Sequence, residues 1–180
     1  MGIGRHAHIV HLIDFGLAKE FRDPDTNQHI PYTEAPGLTG MAVFASIHSH
    51  LAVELRRCDD LESLAYVLIY FLRGSLPWQG MQSRRRDLVV QSKQRTSIHD
   101  LCLGLPTELY TFLEYTRSLS FDDKPDYGYL CGLFDNTWSR DGFEDDPALD
   151  WESSACHIIG QPSKKLNRPP RETHPKRRTG

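Results

Sequence analysis

The 180-residue chain has no apolar run approaching about 18 residues and no apolar core near its amino terminus, so it offers neither a membrane-spanning helix nor a secretory signal. Cysteine is scarce. Cys58, Cys102, Cys131 and Cys156 lie far apart without a C-x-x-C pair, which speaks against a disulfide scaffold and for reduced thiols in a cytosolic or nuclear protein. There is no internal repeat, and with 39% apolar residues the chain can bury one core: a single domain plus a tail. Met1-Gly2 opens like a myristoylation motif, but His6 stands where that motif needs Ser or Thr.

The net charge of −3 hides an asymmetry: residues 160–180 hold seven Lys/Arg against one Glu, +6, which leaves −9 for residues 1–159. That tail carries Pro162, Pro169, Pro170 and Pro175 and almost nothing apolar. It cannot repay the entropy of ordering, so residues 152–180 read as a basic, disordered tail. Lys176-Arg177-Arg178 reads first as a solvated basic end and second as a nuclear-import or anionic-surface signal.

Along the body of the chain, His8 to Ile13 is β-branched and largely apolar, the pattern of a short strand running into a turn at Asp14-Phe15-Gly16. Residues 17–45 are broken by Pro24, Pro31, Pro36, Gly37 and Gly40 and predict a long loop. A helix comes next. Asp59 is placed to cap it with Glu62 completing a capping box, and Leu61, Leu64, Ala65, Leu68 and Leu72 repeat at helical spacing. Tyr66, Val67, Ile69, Tyr70 and Phe71 make its other faces apolar, which predicts a buried helix. Gly74 ends it, Pro77 blocks its continuation, and Trp78 is expected to pack across the turn. Further helices are predicted near 81–95, from Pro106 to about Leu119 with Leu109, Phe112, Leu113 and Thr116 on one face, and from Pro125 to about Trp138 with Tyr129, Leu130, Leu133 and Phe134. Residues 139–151 are acidic and punctuated, a peripheral segment closed by Trp151.

Several runs carry a resemblance. Ile13-Asp14-Phe15-Gly16-Leu17-Ala18-Lys19, Phe21-Arg22-Asp23-Pro24, His29-Ile30-Pro31-Tyr32, Leu38-Thr39-Gly40, Ala45-Ser46-Ile47, Asp59-Asp60-Leu61-Glu62-Ser63-Leu64, Arg73-Gly74-Ser75-Leu76-Pro77-Trp78-Gln79-Gly80 and Lys124-Pro125-Asp126-Tyr127 resemble the carboxy-terminal lobe of the casein kinase 1 family of serine/threonine kinases. The resemblance implies a mainly α fold: a partial kinase domain over residues 1–151 with a short β edge at its start, lacking the amino-terminal lobe and the catalytic loop. It also implies ATP and Mg²⁺ as cofactors and protein substrates as partners, with no membrane and no specific nucleic acid. By the same resemblance Met1-Gly2 looks like the end of a preceding strand, an internal methionine standing at the start.

Within that resemblance Asp14 is the Mg²⁺ ligand, a hard carboxylate suited to the ion that bridges nucleotide phosphates, with Phe15 packing beside it and Gly16 freeing the turn. Asp60 corresponds to the aspartate that braces the catalytic loop from the central helix; an ordinary first-turn acid favoured by the helix dipole is the simpler role. Arg84-Arg85-Arg86 read equally as an anion site and as a solvated helix face. Two positions depart from the family. Val43 stands where a phosphate-directed arginine is expected, which weakens that pocket, and His48 stands where the family has asparagine. His6, His8 and His11 hint at a metal cluster, but no Cys/His/acid set accompanies them at a zinc-like spacing.

No G-x-G-x-x-G, V-A-I-K or H-R-D-x-x-x-x-N occurs in the chain, and these supply phosphate binding and the general base in phosphoryl transfer. Loss of a general base alone costs about 10²–10⁴ in rate, so the expectation is a fragment inactive alone. The alternative is a non-catalytic, pseudokinase-like binding module or a gene remnant. Either way the upper face of the lobe, around Leu12 and Phe15, is expected to expose apolar surface that invites a partner.

Overall fold

The computed structural model describes residues 6, 9–34, 40–81 and 86–140. The chain divides into two units, and one of them, Ile13–Glu144, carries all the helices of the described residues. Of the other, Met1–Leu12 with Asp145–Gly180, only His6 and residues 9–12 are described. Trp151, Cys156 and the basic tail fall outside the described residues.

The architecture is mainly helical. α1 (Ile47–His50), α2 (Arg57–Arg73), α3 (Arg86–Arg95), α4 (Ile98–Cys102), α5 (Thr107–Ser118) and α6 (Tyr127–Arg140) succeed one another after the irregular first third. α2 packs on α5, which also takes α4 and α6, while α1 bridges α2 and α3. The core lies where these meet: Ala65, Tyr66 and Ile69 of α2 against Leu109, Phe112 and Leu113 of α5, with Leu76, Trp78, Val89, Leu101 and Leu130 closing it. Burying side chains such as Ile69 and Leu113 completely stabilises the fold by about 1.5–3 kcal/mol each. No helix among the described residues is long and apolar enough to cross a membrane.

Among the described residues the expected β edge does not form. Residues 9–13 have no regular structure, Val10 and Ile13 are exposed, and the pairings among the described residues are two isolated bridges, Arg22 with His29 and Glu34 with Val53. β-branched residues favour a strand only when a neighbouring strand accepts their backbone hydrogen bonds, and residues 9–13 meet none among the described residues.

The central helix is present but capped and oriented differently from the sequence expectation. Asp59 is not the cap: it sits inside the first turn, where its Oδ2 accepts from the backbone N–H of Arg56 at 2.9 Å, and Glu62 takes no part. Nor is α2 buried all round. Leu64, Phe71 and Leu72 are exposed, because α1 and α5 cover only the face that carries Glu62, Ala65, Tyr66 and Ile69. Gly74 ends the helix as predicted, in the left-handed region at φ +77° with its N–H donating to the Tyr70 carbonyl at 2.8 Å. Trp78 packs edge-on to Tyr66, 5.0 Å between ring centres.

α5 and α6 follow their predicted spans closely, α3 is described from Arg86 within the predicted 81–95, and the short helices α1 and α4 are not among those predicted. Pro106 lies one residue before α5, and all four of Leu109, Phe112, Leu113 and Thr116 are buried. In α6 Leu130 is buried, Leu133 and Phe134 pack against the core, and Tyr129 is exposed beside Tyr115. The long loop before α1 is irregular, yet it is tied down. Lys19 pairs with Glu54 at 2.7 Å, Thr33 donates to the same carboxylate at 3.2 Å, and Phe21 lies under the Arg57 guanidinium, 4.4 Å from ring centre to carbon.

Candidate functional site

Asp14 occupies a left-handed conformation, φ +64° and ψ +69°, at the start of a 3₁₀ turn over Phe15–Leu17. Aspartate tolerates that region better than most side chains because its short carboxylate can bond locally; here Oδ1 faces the Gly16 N–H at 3.4 Å. A Cβ at Gly16 would come within 3.3 Å of that oxygen, a tight contact that a small movement of the exposed carboxylate relieves. Ile13, Phe15 and Leu17 are all strongly exposed, so Phe15 does not pack into the lobe as expected. The 3₁₀ turn presents both the Asp14 carboxylate and an apolar rim to solvent. Asp14 belongs to no group of three metal-ligating side chains among the described residues.

Asp60 lies in the first turn of α2 on the wall of a cleft of about 280 Å³, lined also by Leu17, Met41, Phe44, Ser46, Asp59 and Ser63. It is exposed but flanked by protein, and this desolvation, together with the Asp59 charge, holds its carboxyl above the ordinary range. Of the three arginines, Arg86 opens α3 with an exposed side chain; Arg84 and Arg85 lie outside the described residues. Asp14, Asp60 and Arg86 are not joined by any hydrogen bond or ion pair described in the structure, so the residues singled out from sequence do not form one constellation. Val43 has a packing role instead of an anion-binding one. It lies half-buried against the core, and its carbonyl accepts from the Trp78 indole N–H at 2.7 Å.

Two polar clusters were not foreseeable from sequence. In the first, Glu62 is buried between Tyr66, whose hydroxyl donates to Oε1 at 2.6 Å, and Arg117, whose Nε donates to the same oxygen at 3.1 Å. Arg117 also donates to the Tyr66 hydroxyl oxygen at 2.7 Å. Lys93 lies next to this cluster, fully buried, with its ammonium bonded to the carbonyls of Ala42 and Ala45 and set over the rings of Tyr66 and Trp78. Burial pushes Lys93 down to about 7, against the opposing pull of the Glu62 charge. Its one sequence signal is the i, i+4 spacing from Val89, which sets both on the inward stripe of α3.

The second cluster joins His48, Arg56 and Asp59. His48 Nδ1 lies 3.2 Å from Asp59 Oδ1, while the Arg56 guanidinium reaches the same ring nitrogen at 2.8 Å and Asp59 Oδ2 at 3.2 Å. Burial alone would raise the Asp59 carboxyl, but its bonds to His48 and to the Arg56 N–H outweigh that and leave it below the usual carboxylate range.

Compared with models of known protein families, the chain matches none.

Proposed function

We propose that residues 13–140 form the substrate-side helical lobe of a casein kinase 1-like serine/threonine kinase, in which Asp14 holds Mg²⁺ against ATP only when a nucleotide-binding half completes the site. The single observation that carries this reading is the Asp14-Phe15-Gly16 turn, which leaves the carboxylate and an apolar rim exposed to solvent. The order of the later elements supports it. A docked irregular loop leads to a central helix with Asp60 in its first turn, as the motif resemblance implies.

Phosphoryl transfer depends on positioned phosphates and an oriented hydroxyl, and in kinases these come from a Gly-rich loop, a strand lysine and an H-R-D aspartate. None is encoded in these 180 residues, so this chain by itself transfers no phosphate to casein. A direct test fuses residues 9–180 behind the amino-terminal half of a casein kinase 1 enzyme, through its catalytic loop. Transfer of radiolabelled phosphate by the chimera, abolished by Asp14→Ala, supports the reading. A folded chimera that neither binds Mg²⁺–ATP nor transfers phosphate counts against it and favours a non-catalytic binding module.

A further inference from the structure

The geometry points to a divalent-metal site of the zinc class formed by His48, Asp59 and Glu62, with Arg56 as the side chain that a cation displaces. One potential ligand atom from each of the three lies within 4.8 Å of the others. Asp59 and Glu62 are one helical turn apart on the same face of α2, and His48 comes across from α1. Imidazole with two carboxylates suits Zn²⁺ or Co²⁺, bound at about 2.0–2.2 Å. Ligand atoms around such an ion stand about 3.3–3.5 Å apart, so closure asks for a shift of about 1 Å, within the reach of the half-exposed His48 ring.

Each carboxylate keeps an oxygen available. Arg56 holds Asp59 Oδ2 and Arg117 holds Glu62 Oε1, the orienting arrangement that partners outside a metal's own ligands commonly supply. The other oxygens are weakly used. Asp59 Oδ1 is buried and faces the His48 ring nitrogen at 3.2 Å with no well-formed hydrogen bond, and Glu62 Oε2 accepts the Ile47 N–H at a long 3.3 Å.

His48 cannot satisfy its two neighbours at once. If Nδ1 carries a proton it can donate to Asp59 Oδ1, but it then faces an N–H of Arg56 donor to donor. If Nδ1 is bare it accepts from Arg56, and Asp59 Oδ1 loses the ring as a donor. A cation bound between the His48 nitrogen and Asp59 Oδ1 satisfies both and releases Arg56 from the ring, while Arg56 retains Asp59 Oδ2 and the Leu119 carbonyl. The exposed edge of His48 gives the ion its way in, since that side chain is 39% exposed.

Titration of the full chain with Co²⁺, read by visible d–d absorption and by competition with a chromogenic chelator, tests the site. One equivalent is expected to bind. His48→Asn lowers affinity at least tenfold, and the triple variant His6→Ala, His8→Ala, His11→Ala retains the wild-type spectrum. Far-ultraviolet circular dichroism checks that His48→Asn, a change at a partly exposed position, is folded. Absence of Co²⁺ uptake by the wild type overturns the proposal, as does undiminished affinity in His48→Asn or a spectrum lost only in the amino-terminal triple variant.

Discussion

The ammonium of Lys93 donates to the carbonyl of Ala42 at 2.8 Å, tying α3 to the segment that leads into α1 across 51 residues of sequence. It bonds the Ala45 carbonyl as well. A fully buried lysine thus serves as the joint between the irregular first third and the helical core.

Lys93→Met keeps the length of the side chain and removes the donor from both carbonyls, so it is expected to destabilise the fold by about 1–3 kcal/mol. The pH dependence gives the sharper test. The folded pKa, about 7, lies below the ordinary lysine value of 10.5, so between those values the unfolded chain binds more protons and stability rises with pH. From about pH 7 to about pH 8.5 the gain is on the order of 1–2 kcal/mol. Urea unfolding of the wild type at both pH values should show it, and Lys93→Met should not.

The Glu62–Tyr66–Arg117 network joins α2 to α5 through a carboxylate that is 3% exposed. Removing its cation with Arg117→Ala strands a buried charge, and a loss of about 3–5 kcal/mol is expected. Tyr66→Phe keeps the ion pair and should lose about 1 kcal/mol. Equal losses for the two variants would show that the buried charge is not what Arg117 compensates.

Ala52 adopts φ +56°, a left-handed conformation that costs an L-residue with a Cβ about 1–2 kcal/mol. Ala52→Gly relieves it, and after the greater entropy of glycine in the unfolded chain a net stabilisation of about 0.5–1 kcal/mol is expected. A midpoint in urea that moves upward with an unchanged slope is the confirming result.

Gly74 sets the reverse case. A Cβ there would meet nothing within 4 Å, so Gly74→Ala tests backbone conformation alone at φ +77°. The expected cost is about 1 kcal/mol. A loss above about 3 kcal/mol would instead indicate a packing role.

Periodicity and punctuation made the helices readable. α5 and α6 carry their apolar residues at helical spacing, and Gly74 and Pro106 mark boundaries with backbone chemistry that acts within a few residues. The Asp14-Phe15-Gly16 turn was legible for the same reason. The strand over 8–13 was not realised across its described residues, since β structure depends on a partner that local sequence does not report. The apolar wrap of α2 was likewise ambiguous: Leu64 and Leu72 are as apolar as Ile69, and only the placement of α1 and α5 left the first two exposed. His48 stands out in the sequence as a departure from a family pattern, but nothing local marks it as the neighbour of Asp59 and Arg56.

Local chemistry marked the longer helices and several of their ends, because propensity, capping and positive-φ glycines act over one or two turns. Only the tertiary structure decided which polar groups share a buried space. Lys93 with Ala42, Glu62 with Arg117 and His48 with Asp59 are separated by 51, 55 and 11 residues, and no local rule brings such groups together; the packing of α1, α3 and α5 around α2 does.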